Sequence, residues 1–146
     1  MRIFIIFIFT VMLFFIIGSC ETGGAPEYVG TWLGDDIPDP GGAGTMDLIL
    51  TINNDDTYAA MVYGDYTDPG TLQEGSNSGT YTESGGDITL TVLLWYQCND
   101  VCDWVDVSGM GMTMDLSYTV NGDQMTLTGD FDSDTDIEDL GPLLRQ

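Results

Sequence analysis

The chain has 146 residues, 24 of them acidic against two basic and no histidine, which gives a formal charge of −22. Nucleic acid and anionic lipid head groups are poor partners on this balance, because binding either takes positive charge to displace counterions, whereas cations, cationic peptides and positively charged surfaces are acceptable ones. Without histidine or lysine, Ser-His-Asp and Cys-His catalysis, imidazole metal sites and Schiff bases are ruled out; a carboxylate pair survives, no spacing singles one out, and no enzyme is expected.

Met1-Arg2 opens the chain, and Ile3 to Ile17 follows as an apolar run broken only by Thr10, ending at Gly18-Ser19-Cys20. This is the charged start, apolar middle and small-residue cleavage site of a secretory signal. A transmembrane helix is the alternative, but crossing a membrane takes roughly 20 apolar residues and this run is shorter. Ile17-Gly18-Ser19-Cys20 resembles the bacterial lipobox. That resemblance implies a signal peptide over residues 1–19, cleavage before Cys20, acylation of Cys20 with palmitate-type chains, and a lipid-anchored product in the cell envelope. Glu21, where an aspartate would favour inner-membrane retention, leans towards an outer membrane in a cell that has one. Each buried methylene contributes about 0.8 kcal/mol, so several acyl chains make a durable anchor. Residues 20–27, with Gly23-Gly24 and Pro26, read as a lipidated, flexible tether. All 24 acidic residues then remain with Arg145 as the one basic partner, a formal −23. Solubility, or adaptation to salty surroundings, accounts for such a charge more readily than a specific cationic partner does.

From Tyr28 onwards the pattern is of short strands and turns. Tyr28 to Leu33 is the first. Met46, Leu48, Leu50 and Ile52 share one face, Asn53-Asn54-Asp55-Asp56 breaks the pattern, and Thr57 to Tyr63 resumes it as a hairpin. Ser78 to Glu83 follows. Ile88, Leu90, Val92 and Leu94 alternate with Thr89, Thr91, Leu93 and Trp95; after Cys102 to Val107, Met112, Met114, Leu116, Tyr118 and Val120 alternate in the same way. Asn121-Gly122-Asp123 marks a tight turn into Gln124 to Thr128, since Asn-Gly tolerates positive φ. Asp36 to Gly44 and Thr67 to Asn77, rich in glycine, proline and acid, read as loops. About eight strands in a meander suit a single all-β, antiparallel, up-and-down barrel over residues 28–131, with a two-sheet sandwich as the alternative. Residues 132–146 read as an acidic tail.

Gly30-Thr31-Trp32, Leu50 to Tyr58, Ser78 to Thr82 and Tyr118 to Leu127 together resemble the lipocalin-like domains of small bacterial lipoproteins, over roughly Tyr28 to Asp130. The resemblance implies a barrel with one open end whose interior holds a small apolar molecule, lined by Trp32, Met46, Leu48, Tyr58, Met114 and Tyr118. In lipocalins the tryptophan of Gly-x-Trp packs at the closed end beneath a basic residue from the last strand; the one candidate, Arg145, lies in the segment read as tail. Small barrels are often filled by their own side chains, and Met46, Met61, Met110, Met112, Met114 and Met125 read as gap-filler more readily than as ligand lining.

Cys98 and Cys102 flank a tight turn, and in an exported protein a local disulfide is the simplest outcome; redox activity or metal binding is less favoured, as no basic residue stands near to lower a thiol pKa. Asp130, Asp132, Asp134 and Asp136 set carboxylates at alternate positions that could hold Ca²⁺, although the EF-hand pattern fails and a solvated acidic tail explains them more simply. No cofactor is required. The expected function is a membrane-anchored lipoprotein binding a small apolar ligand. The alternative is a solid barrel acting as a structural or surface-interaction module through its acidic surface or bound Ca²⁺.

Overall fold

The computed structural model describes residues 25–39, 44–64, 72–73, 75–98, 101–131 and 136–146. They form nine strands: β1 (Gly30–Pro38), β2 (Thr45–Ile52), β3 (Thr57–Tyr63), β4 (Asn77–Ser84), β5 (Asp87–Cys98), β6 (Cys102–Asp106), β7 (Thr113–Asn121), β8 (Gln124–Gly129) and β9 (Glu138–Arg145). Antiparallel pairing runs in the order β4-β3-β2-β1-β9-β8-β7-β5, and β4 also pairs with β5. Eight strands therefore close on themselves, which removes the sheet edges an open sandwich would leave. All nine lie between Gly30 and Arg145, so the barrel is complete within that stretch. β6 stands outside it, paired only with the far part of β5, from Leu94↔Asp106 to Cys98↔Cys102.

Period-two patterning builds the interior. Leu48, Leu50 and Ile52 of β2, Ile88, Leu90 and Val92 of β5, Leu116 of β7, and Met125 and Leu127 of β8 all turn inwards and are buried. Full burial of such a side chain contributes about 1.5–3 kcal/mol. The outer faces carry charge, spaced by hydroxyls. Thr89 donates to Asp115 (2.6 Å), Ser117 to Asp87 (2.7 Å) and Thr128 to Asp139 (2.7 Å), each across a strand pair. Carboxylates thus meet hydroxyl donors across the strands, where two facing carboxylates would repel.

Three features depart from the sequence pattern. First, the C-terminal segment read as a tail supplies β9, which pairs with β8 on one side and, through Trp32↔Arg145 and Leu33↔Leu144, with β1 on the other. Its inward leucines, Leu140 and Leu143, are three apart because the register shifts between Met125 and Leu127 opposite them. A period-two search passes over that spacing, and Gly141-Pro142 reads as a strand breaker although proline is admitted at bulges. The expected count of eight barrel strands holds, with β9 in the place given to β6. Second, β1 runs on to Pro38 instead of looping out at Asp36. A bulge between Gly34 and Ile37 carries it, with Asp36 at φ 52° and its N–H donating to Asp47 Oδ1 (2.9 Å). Third, β5 bulges opposite Ser78 and Gly79, so that Ser78 pairs with Leu94 and Gly79 with Val92. The side-chain alternation flips there: Trp95 turns inwards, and Leu94, expected to face in with Ile88, Leu90 and Val92, is 41% exposed.

The β7–β8 hairpin forms where expected, closed by Gly122-Asp123 between Asn121 and Gln124, with positive φ at Gly122 and not at Asn121. That is the glycine-first pattern of a type II′ turn.

Candidate functional site

The two ends of the barrel differ. At the end where β1 begins and β9 finishes, Trp32 has no exposed surface and its Nε1 donates to the carbonyl of Tyr28 (2.9 Å). The Arg145 guanidinium lies over the Trp32 ring, 4.5 Å from its centroid, and donates to the carbonyls of Val29 (3.4 Å) and Glu27. Arg145 is thus a last-strand residue that caps Trp32. Tyr28 packs edge-on against Tyr81 and Tyr118, with ring centroids 6.1 and 5.2 Å away. Tyr81 donates to the Asn53 carbonyl (2.8 Å) and Tyr118 to Glu83 Oε1 (3.0 Å). Aromatic rings with their polar tips bonded plug this end.

The other end holds an apolar cavity of about 270 Å³. Leu50, Ile52, Ile88, Leu116 and Leu127 line it together with Met46, Val62, Trp95, Met114, Phe131 and Leu140, and Asp39, Gly75 and Asn77 are the polar contributors. The barrel is therefore not filled to its rim by its own side chains. Short polar ties hold the wall. The Tyr58 hydroxyl donates to Asn77 Oδ1 (2.7 Å), and Asn77 Nδ2 donates to the Gly75 carbonyl (2.9 Å). Ser76, fully buried, accepts from the Val62 N–H (2.8 Å) and donates to the Gln73 carbonyl (3.0 Å). Tyr96 N–H donates to the Ser76 carbonyl (2.8 Å), which seats the β3–β4 connection on β5. Glu138 Oε2 accepts from the Phe131 N–H (3.3 Å) beside the mouth.

Of the six residues expected to line a ligand site, Met46, Leu48 and Met114 line this cavity. Trp32 and Tyr118 are corrected to the plug at the closed end, and Tyr58 sits behind Asn77 rather than in the cavity wall. Trp95, Phe131, Leu140, Asn77 and Asp39 are lining residues that the sequence pattern did not pick out.

Cys98 and Cys102 are joined by a disulfide at the tip of the β5–β6 hairpin, their Cα atoms 4.0 Å apart. On that hairpin Tyr96 and Trp104 pack at 5.4 Å, and Asp103 Oδ1 accepts from the Trp104 N–H (2.8 Å). Of the four aspartates considered for Ca²⁺, Asp132 and Asp134 lie outside the described residues, as does Cys20, while Asp130 and Asp136 flank the β8–β9 connection. β8 ends at Gly129, so Asp130 does not continue it. Among the described residues no group of three or more Cys, Asp or Glu side chains is arranged to hold a metal ion.

A closed antiparallel barrel with one plugged end and an apolar cavity at the other is compatible with a binding domain. No protein-family model, no curated protein and no solved structure matches this chain.

Proposed function

We propose that the protein is an exported lipoprotein of the cell envelope, acylated at Cys20, whose lipocalin-like barrel carries a small apolar ligand and performs no catalysis. The cavity carries this reading: its wall is hydrocarbon, methionine and aromatic, with a few polar groups at one side, the usual make-up of a small-molecule site. Met46 and Met114 in that wall adapt their shape to a guest. The anchor rests on Ile17-Gly18-Ser19-Cys20 after the apolar leader.

Native mass spectrometry of the chain from Glu21 to Gln146, which contains every strand, tests the cavity. A retained organic adduct, or one-to-one uptake of added hydrophobic compounds, is expected. A bare protein that takes up only Ca²⁺, or nothing, would overturn the reading in favour of an acidic interaction module. Radiolabelled palmitate tests the anchor: label should enter the full chain and not Cys20→Ala, which should also leave the membrane fraction.

A further inference from the structure

We propose that the cavity selects an amphiphile with a positively charged amine head over one with a carboxylate head. This rests on the ligand-binding reading above and adds to it the chemistry of the head group.

Among the described residues, Asp39 is the one charged side chain in the cavity wall, and Trp95 and Phe131 stand in the same wall. The Asp39 backbone is fixed at the end of β1, where its N–H donates to the Gly44 carbonyl (3.2 Å). A carboxylate together with aromatic ring faces suits an ammonium group, which gains from charge-assisted hydrogen bonds and from the ring quadrupoles. Asp35, Asp36, Asp130, Asp136 and Glu138 lie at this same end, on β1 and around the β8–β9 connection, and their summed field also favours a cation.

A carboxylate head has no such support. The sequence contains two basic residues, Arg2 in the leader and Arg145. Arg145 is committed to the Trp32 ring and the carbonyls of Val29 and Glu27 at the opposite end of the barrel. A fatty acid seated tail-down would bring its charge to an acidic mouth with no counter-ion, a costly desolvation. A cavity of about 270 Å³ is of a size for one small amphiphile.

Calorimetric titration of the Glu21–Gln146 chain with n-octylammonium, n-octanol and n-octanoate, at neutral pH and low salt, tests this. The three probes share one tail and differ in head charge. The ammonium should bind one-to-one, displace octanol, and bind about tenfold more tightly than octanol, with octanoate weakest. The preference should shrink in Asp39→Asn, whose retained octanol affinity shows that the cavity is intact, and also as salt is raised. Octanol or octanoate binding as tightly as the ammonium, an unchanged preference in Asp39→Asn, or ammonium uptake that leaves octanol in place would overturn the head-group inference while leaving the cavity reading standing. Binding of none of the three overturns both.

Discussion

Tyr58, Tyr81 and Tyr118 bring three phenols into one small barrel, and each resists ionisation. Burial pushes Tyr58 well above the usual value of 10. Burial, followed by Tyr28, Asp56 and Asp55, raises Tyr81 to about 12; burial, followed by the Glu83 carboxylate to which it donates, raises Tyr118 to about 12. In the unfolded chain the same groups ionise near pH 10. The neutral phenols therefore favour the fold fully below about pH 10, and that contribution falls away as pH rises towards about 12, because over this window the unfolded chain binds fewer protons. Stability measured by urea denaturation should be flat through neutral pH and drop from about pH 10 upwards, in step with tyrosinate absorbance. Arg145 makes a second case at this scale. Removing its side chain takes the cation from the Trp32 ring and two donors from the Val29 and Glu27 carbonyls. Arg145→Ala should cost about 1–2 kcal/mol by denaturant titration, and Arg145→Lys, which keeps charge without the planar fork, should recover part of it.

At the scale of elements, the β4–β5 seam that closes the barrel depends on a residue without a side chain. A Cβ on Gly79 would stand 1.9 Å from the Thr91 carbonyl oxygen and 3.0 Å from the Leu93 nitrogen, both backbone atoms at the bulge. Gly79→Ala should therefore destabilise by more than about 3 kcal/mol or fail to give folded protein, as circular dichroism and the urea midpoint would show. The same bulge shows where sequence reading stopped. Thr57 to Tyr63 formed as expected to the residue, and most other boundaries moved by one or two, because their apolar faces alternate without interruption. Where a bulge intervenes the alternation misleads. Leu94 trades places with Trp95, and Leu140 and Leu143 of β9 hide behind a three-residue spacing and a Gly-Pro pair. Half of the residues expected to line a ligand site lie away from the cavity for a related reason. Trp32, Tyr58 and Tyr118 do point into the barrel, but alternation tells inside from outside and not top from bottom. Height along a barrel comes from pairing register, which a strand's own sequence does not carry.

At the scale of the whole molecule, 24 acids against two bases make self-repulsion a continuous load on the fold, and among the described residues no arginine offsets it at the cavity end. Moving from 0.01 M to 0.15 M salt shortens the screening length from roughly 30 Å to roughly 8 Å. The thermal midpoint should rise over that range, and a midpoint independent of salt would show that the hydroxyl-spaced carboxylates already keep the repulsion negligible. One consequence concerns orientation. β1 starts at Gly30 and β9 finishes at Arg145, side by side at the plugged end, so the chain that precedes the barrel enters there. Eight peptide steps from Cys20 to Tyr28 reach at most about 29 Å. On the function proposed above, a barrel held by lipid on Cys20 would be leashed from its plugged end, which leaves the acidic mouth free to face the water and take its guests from there, like a cup on a short leash.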